Sequence, residues 1–204
     1  MDLARWLGFL GLSTAAVLTP GPTLLAIVGH AAGSGFRATI PVVLGNALGI
    51  AVLMGISIAG VAGALLRAPG LLVVLQLAGA GYLAWHGARM WWQRDIPVQV
   101  ASERTAAGPL WRGFLLVWSN PKALLFFGAV LPQFLRTESS LALQFLALAA
   151  TFVVLELGVT TLAAAAAGRL VNAGPSRALA RLRATGGLLV TGTAVFLAVT
   201  ALRS

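Results

Sequence analysis

Two short polar segments interrupt apolar stretches of this chain. The first is Thr19-Pro20-Gly21-Pro22 and the second is Asn120-Pro121-Lys122. A proline inside a helix removes a backbone donor and clashes with the carbonyl one turn earlier, so each segment is expected to break its helix. Backbone groups freed in this way are tolerated within a membrane only against protein or a wet cavity. Paired breaks therefore predict a binding site, whereas a single break would also fit a simple packing kink.

Lys122 is unusual for its type and its position. The chain has 14 Lys and Arg residues in total, and Lys122 is the one lysine among them. It lies inside an apolar stretch, where a charged side chain is expensive and is often functional. Lysine can also release its proton, which arginine cannot do in proteins. We therefore predict that Lys122 contacts a substrate or ion; the alternative is a lysine that reaches the membrane interface from a helix break.

Glu156 is the only carboxylate within a predicted span, because the other four acidic residues lie in polar links or at the terminus (Asp2, Asp95, Glu103 and Glu138). A lone carboxylate at membrane depth predicts an ion path or a substrate contact. Glu156 and Lys122 are expected at similar depths and are plausible partners, although a purely structural ion pair would give the same pattern. Asn46, Gln76 and Tyr82 are polar enough to line the same cavity, or each bonds only a neighbouring helix.

The elements that must position these residues are membrane helices. The chain is 59% hydrophobic with a mean hydropathy of +0.93, and only 9% of its 204 residues are charged, against roughly 25% in soluble domains. Apolar stretches of about 20 residues span a bilayer as helices. We predict six spans in an all-α, polytopic membrane protein that forms one integral membrane domain: 4–28, 39–66, 71–91, 111–135, 141–167 and 185–202. The first stretch continues past the proline break, so a retained span is favoured over a cleaved signal peptide.

Basic residues predict the orientation of the spans. Nine arginines lie in one set of alternate links and four in the other; the first set is 37, 89, 94, 104, 112, 169, 177, 181 and 183, and the second is 5, 67, 136 and 203. The richer side is expected to be cytoplasmic, with both termini on the periplasmic or extracellular side. The scatter of these arginines along the links does not form a nucleic-acid surface. With no cysteine, disulfides and thiolate metal sites are excluded.

Six spans with both ends on one side divide into two halves of opposite orientation, as in many secondary transporters. We assign half one to about 1–92, a cytoplasmic loop to about 93–110, and half two to about 111–204. The strings "LTPGPTLL" and "SNPKALLFF" occupy the first span of each half, and we pair Pro20 with Pro121. The prediction is a 3+3 inverted repeat with a broken first helix in each half.

The ordered strings "TPGP", "GNALG", "GYLAWHGARMW" and "NPKALLFFGAVLPQF", followed by a late carboxylate, resemble the LysE/RhtB family of amino-acid exporters. The resemblance covers nearly the whole chain. It implies a secondary carrier of the bacterial inner membrane that expels amino acids or close derivatives, coupled to the proton gradient and without a cofactor. The family's helix-break residues fall on Pro20, Gly21, Pro22, Asn120, Pro121 and Lys122, while many relatives have aspartate where this chain has Glu156.

The expected function is therefore amino-acid export by alternating access, with protons and membrane lipid as partners and no nucleic acid. Few charges in the spans favour a neutral substrate. A passive channel is the alternative reading. An intramembrane enzyme is a remote one, because Gly55-Ile56-Ser57-Ile58 lacks the second glycine of a nucleophile turn and no HExxH zinc motif is present. Glycine-rich faces are also compatible with a homodimer.

Overall fold

The described part of the computed structural model comprises residues 2–19, 21–67, 69–92, 108–136 and 140–167, together with positions 188, 191–195, 198–199 and 202. Up to residue 167 the described residues form seven α-helices and one 3-10 turn. In chain order they are α1 (Leu3–Leu18), α2 (Pro22–Ser34), α3 (Phe36–Arg67), α4 (Pro69–Trp92), α5 (Pro109–Trp118), α6 (Pro121–Val130), the 3-10 turn Leu131–Phe134, and α7 (Leu141–Ala165). The predicted all-α membrane architecture is confirmed.

The first predicted break separates α1 from α2. α1 ends at Leu18, where the Thr19 N–H and hydroxyl both donate to the carbonyl of Ala15. α2 begins with Pro22 after Gly21 at its N-cap position, which suits a residue that lacks a backbone N–H. The two helices are bent by 51°. Position 20 itself lies outside the described residues.

The second predicted break separates α5 from α6. Trp118 ends α5 and Pro121 begins α6, again with the proline at the start of a helix. The bend between α5 and the segment Lys122–Phe134 is 63°. Both breaks thus follow one rule, in which the helix before the break ends and a proline starts the next one. By its place at the start of a helix, Pro121 therefore corresponds to Pro22. The sequence comparison had paired it with Pro20.

The remaining boundaries differ from the predicted ones by a few residues. α2 continues to Ser34 instead of stopping near position 28, because nothing interrupts the helix before Gly35, whose φ of 86° makes the turn. α3 then starts at Phe36 and tolerates Pro41 near its N-terminus. The predicted sixth span, 185–202, and the links 93–107 and 168–184 lie largely or wholly outside the described residues. At 191–195 the backbone is helical.

Two helices satisfy the length and hydropathy of a membrane span by themselves, namely α7 and the Phe36–Gly60 part of α3. Each bent pair adds one more span if it crosses the membrane as a unit, which gives up to four among the residues described. α4 has 24 residues and covers the predicted third span, 71–91, with a few residues beyond each end. Trp92, at the end of α4, and Trp111, in the first turn of α5, are both exposed.

The backbones of α3 and α5 cross in close contact. A Cβ placed on Gly45 would overlap the carbonyl of Leu110, and one placed on Gly113 would overlap the carbonyl of Val42. At Gly49 the added atom would lie 2.9 Å from the carbonyl oxygen of Phe114. Glycine is therefore required here for packing, as small residues are in many membrane helix pairs. The contacts move from Leu110 at Gly45 to Phe114 and Val117 at Gly49, so α3 and α5 run in the same direction at this crossing.

Candidate functional site

The two helix breaks touch each other. The side-chain amide of Asn120, at the N-cap of α6, donates to the hydroxyl of Thr23 in the first turn of α2, with an N–O distance of 2.9 Å. Both side chains are 8% exposed. The two interruptions, which lie far apart in sequence, therefore form one buried polar region.

The Lys122 ammonium group points into this region and binds the end of α1. Its Nζ donates to the carbonyl oxygen of Ala16 at 2.7 Å and to that of Thr19 at 3.2 Å. The Ala16 carbonyl needs an outside donor because the residue four positions later, Pro20, has no N–H. The negative end of the α1 dipole further favours a cation at this place. Lys122, from the second break, thus donates to the carbonyl groups at the end of α1, where the first break lies.

The N-termini of α2 and α6 differ in their capping. In α6 the Asn120 side chain accepts the N–H of Lys122 at 3.0 Å, and the Asn120 carbonyl accepts that of Ala123 at 3.0 Å. In α2 the N-cap residue is Gly21, which has no side chain to offer. A Cβ on Gly21 would lie 3.9 Å from Lys122 Nζ, so the uncapped terminus and the ammonium group are neighbours. A helix N-terminus next to an ammonium group favours the binding of an anion.

Glu156, on α7, is bound by Asn46 of α3. Asn46 Nδ2 donates to Glu156 Oε1 at 3.0 Å. Asn46 is 1% exposed, and its Oδ1 is buried without a hydrogen-bond partner in the described part of the chain. Within those same residues Lys122 and Glu156, which the sequence left as plausible partners, form no ion pair. The cation is held by carbonyls and the carboxylate by an amide.

All of these groups surround one cavity of about 60 Å³. Its polar wall consists of Thr19, Gly21, Thr23, Asn46, Asn120, Lys122 and Glu156, and its apolar wall includes Ile50, Val117, Phe126, Phe127 and Phe152. The three phenylalanines pack against one another, with ring centroids 4.7 to 5.8 Å apart. A cavity of about 150 Å³ is known to hold benzene, so this one must widen to admit a molecule of that size.

The structure thus brings together most of the residues singled out from the sequence. Pro22 and Pro121 start their helices, while Pro20 and the side chain of Gln76 lie outside the described residues. Tyr82 does not line the cavity and instead packs against Trp85, with 5.7 Å between the two ring centroids. Sequence reasoning missed Thr23, although its place directly after "TPGP" was a usable signal. No group of three or more potential metal-ligating side chains occurs within the described residues.

Comparison with known proteins gives a consistent family. The LysE type translocator family matches residues 14–201. The homoserine/homoserine lactone efflux protein of Salmonella typhimurium is 28% identical over 196 residues, which cover 93% of this chain and 94% of that protein.

Two further relatives are more similar over shorter stretches. The leucine efflux protein of an Enterobacter species is 33% identical over 143 residues, or 66% of each chain. An uncharacterized membrane protein of Vibrio cholerae is 30% identical over 174 residues, covering 80% of this chain and 83% of the relative. No solved structure matches significantly. With the family covering most of its length, this chain belongs to the LysE type translocators.

Proposed function

We propose that this protein exports amino acids with neutral side chains from the bacterial cytoplasm and binds them in the cavity between the two helix breaks. The observation that carries the proposal is one ammonium group and one carboxylate that line the same cavity without pairing with each other. A zwitterion supplies the complementary pair of charges. The relatives named for efflux of homoserine and leucine support the same class of substrate.

The two ends of the substrate have distinct partners in this proposal. Its carboxylate lies at the uncapped N-terminus of α2, beside Lys122, where helix N–H groups and a cation both favour an anion. Its ammonium lies toward Glu156 on α7. The side chain faces the apolar wall made by Phe126, Phe127 and Phe152, which is why a neutral side chain is favoured over a charged one.

We further propose transport by alternating access coupled to protons. A cavity of about 60 Å³ is too small for leucine, so binding requires the broken helices to move apart. In other secondary carriers, broken helices near the middle of the membrane form the substrate site, and one repeat moves against the other around it. Glu156 is the group proposed to carry the coupling proton, because it is the only carboxylate within the predicted spans. The basic residues support a cytoplasmic-membrane location with both termini outside.

The test is amino-acid efflux from cells loaded with dipeptides. Cells that produce the protein should release neutral amino acids, identified by mass spectrometry of the medium, faster than cells without it. Uphill release that stops with an uncoupler separates a proton-coupled carrier from a passive channel. Glu156→Gln should abolish the uphill release of amino acids. Gly128→Ala should not, because the added Cβ would meet no atom within 4 Å. Release that is independent of the protein would refute the proposal.

A further inference from the structure

Asn46 has one satisfied and one unsatisfied polar atom in a fully buried side chain. Its Nδ2 donates to Glu156 Oε1 at 3.0 Å, while its Oδ1 has no partner in the described residues. A buried acceptor without a donor is rare and costly in folded proteins, so it calls for a physical reason. Asn46 also lines the cavity. A donor that enters the cavity would satisfy this oxygen.

The orientation of the Asn46 amide follows from Glu156. An ionised carboxylate can only accept hydrogen bonds, so the NH2 group of Asn46 must face it. A flipped amide would set two acceptors against each other. Lys122 does not supply the missing donor in the observed arrangement: its ammonium group binds the carbonyls of Ala16 and Thr19, and Asn46 Oδ1 accepts no hydrogen bond from it. The free oxygen is therefore a consequence of the negative charge on Glu156.

We propose that Asn46 Oδ1 receives the α-ammonium group of the substrate, and that the Asn46 amide makes this contact depend on the charge of Glu156. With an ionised carboxylate, Nδ2 is held by Glu156 and Oδ1 is available to the substrate. When Glu156 takes up a proton, its hydroxyl becomes a donor that Asn46 Oδ1 can accept, while its carbonyl oxygen still accepts from Nδ2. The oxygen that would receive the ammonium group is then occupied. Proton uptake thus releases the substrate. This inference rests on the proposed amino-acid export.

Among the charged residues around the cavity, Glu156 is the one that sets the orientation of the Asn46 amide. α7 packs against α1, α2 and α3, whose described titratable side chains Asp2, Arg5, His30 and Arg37 do not line the cavity. Lys122 is the other charged residue in the cavity wall. The ligand class that follows is an α-amino acid with a free ammonium group, and the same acid without its amino group should be rejected.

The first experiment measures ligand-induced thermal shifts of the purified protein with L-leucine and with 4-methylpentanoate, which is leucine without its amino group. The wild type should bind leucine at least about tenfold more tightly, as expected for a hydrogen bond to a charged group. Asn46→Leu should lose this preference, because it should weaken the binding of leucine more than that of 4-methylpentanoate. Ser13→Ala is the matched control, because Ser13 Oγ is also buried without a partner but does not line the cavity. It should leave both affinities unchanged.

The second experiment tests the dependence on Glu156. Glu156→Gln resembles the protonated carboxyl and should weaken leucine binding about tenfold or more. The double variant Asn46→Asp/Glu156→Gln exchanges acceptor and donor, so that the Gln amide donates to Asp and the second Asp oxygen faces the ligand. Leucine affinity should return to within about threefold of the wild type.

Three results would overturn the inference. Equal weakening of both ligands by Asn46→Leu would make Asn46 a structural residue, and unchanged leucine binding would remove it from the site. A double variant no better than Glu156→Gln would mean that Glu156 holds the ammonium group itself. A wild-type protein that binds no neutral amino acid would instead refute the proposed function, and this inference would fall with it.

Discussion

Replacement of Lys122 by methionine separates its role in the site from its role in holding α1. The variant removes the hydrogen bonds to the carbonyls of Ala16 and Thr19. Bonds with a charged donor contribute about 1.5 to 3 kcal/mol each, so the loss is about 3 to 6 kcal/mol. Removing a lysine from membrane depth returns about 2.5 to 3.5 kcal/mol. The net destabilisation should therefore be about 0 to 3 kcal/mol, and the protein should still fold.

Transport should respond much more strongly. Truncating one member of a buried charge contact costs at least about 2 kcal/mol, which corresponds to roughly a 30-fold loss of substrate affinity. The assay compares leucine efflux from dipeptide-loaded cells with thermal unfolding in detergent, followed by the fluorescence of the six tryptophans. The melting temperature should fall by less than about 12 °C. Normal efflux per folded molecule would refute the substrate role of Lys122, and a protein that cannot fold would make it a purely structural contact.

Further predictions concern the crossing, the cap and the apolar wall. Gly113→Ala should reduce the folded yield because its Cβ would overlap the carbonyl of Val42. Gly128→Ala, where the added Cβ has open space around it, should instead stabilise α6 by up to about 1 kcal/mol. Equal yields of the two variants in detergent gel filtration would refute the requirement for glycine at the crossing. Asn120→Ala should cost about 1 kcal/mol through the lost cap and slow efflux, which thermal unfolding and the dipeptide assay would measure together. Phe152→Ala enlarges the cavity, so competition assays should show a preference for bulkier amino acids; an unchanged ranking would remove Phe152 from the side-chain wall.

The helix breaks could be predicted from sequence because their cause is local. A proline lacks a donor wherever it stands, and the fold responds by starting a new helix at Pro22 and at Pro121. The end of α2 was harder to predict, since Gly29 and Gly33 both remain helical and only Gly35 turns. Nothing local in the sequence distinguishes these glycines.

The partners of the charged residues could not be predicted, because they depend on how distant helices pack. Lys122 and Glu156 are the obvious pair by charge and depth, but each is bound by a neutral group instead. The carbonyl of Ala16 has no sequence signal of its own beyond the proline at position 20. The free oxygen of Asn46 is likewise visible only when the neighbouring helices are in place.

The close crossing of α3 and α5 also limits how the proposed carrier can change shape. These helices come from the two predicted halves, and at Gly45 and Gly113 their backbones are in direct contact, with no side chains between them to absorb sliding. The crossing is therefore suited to act as a fulcrum on which the halves pivot while their separation stays fixed. The larger displacements would then fall on the bent segments α1–α2 and α6, whose ends form the cavity. Cross-linking across this fulcrum should spare turnover, whereas a cross-link between the bent segments should stop it.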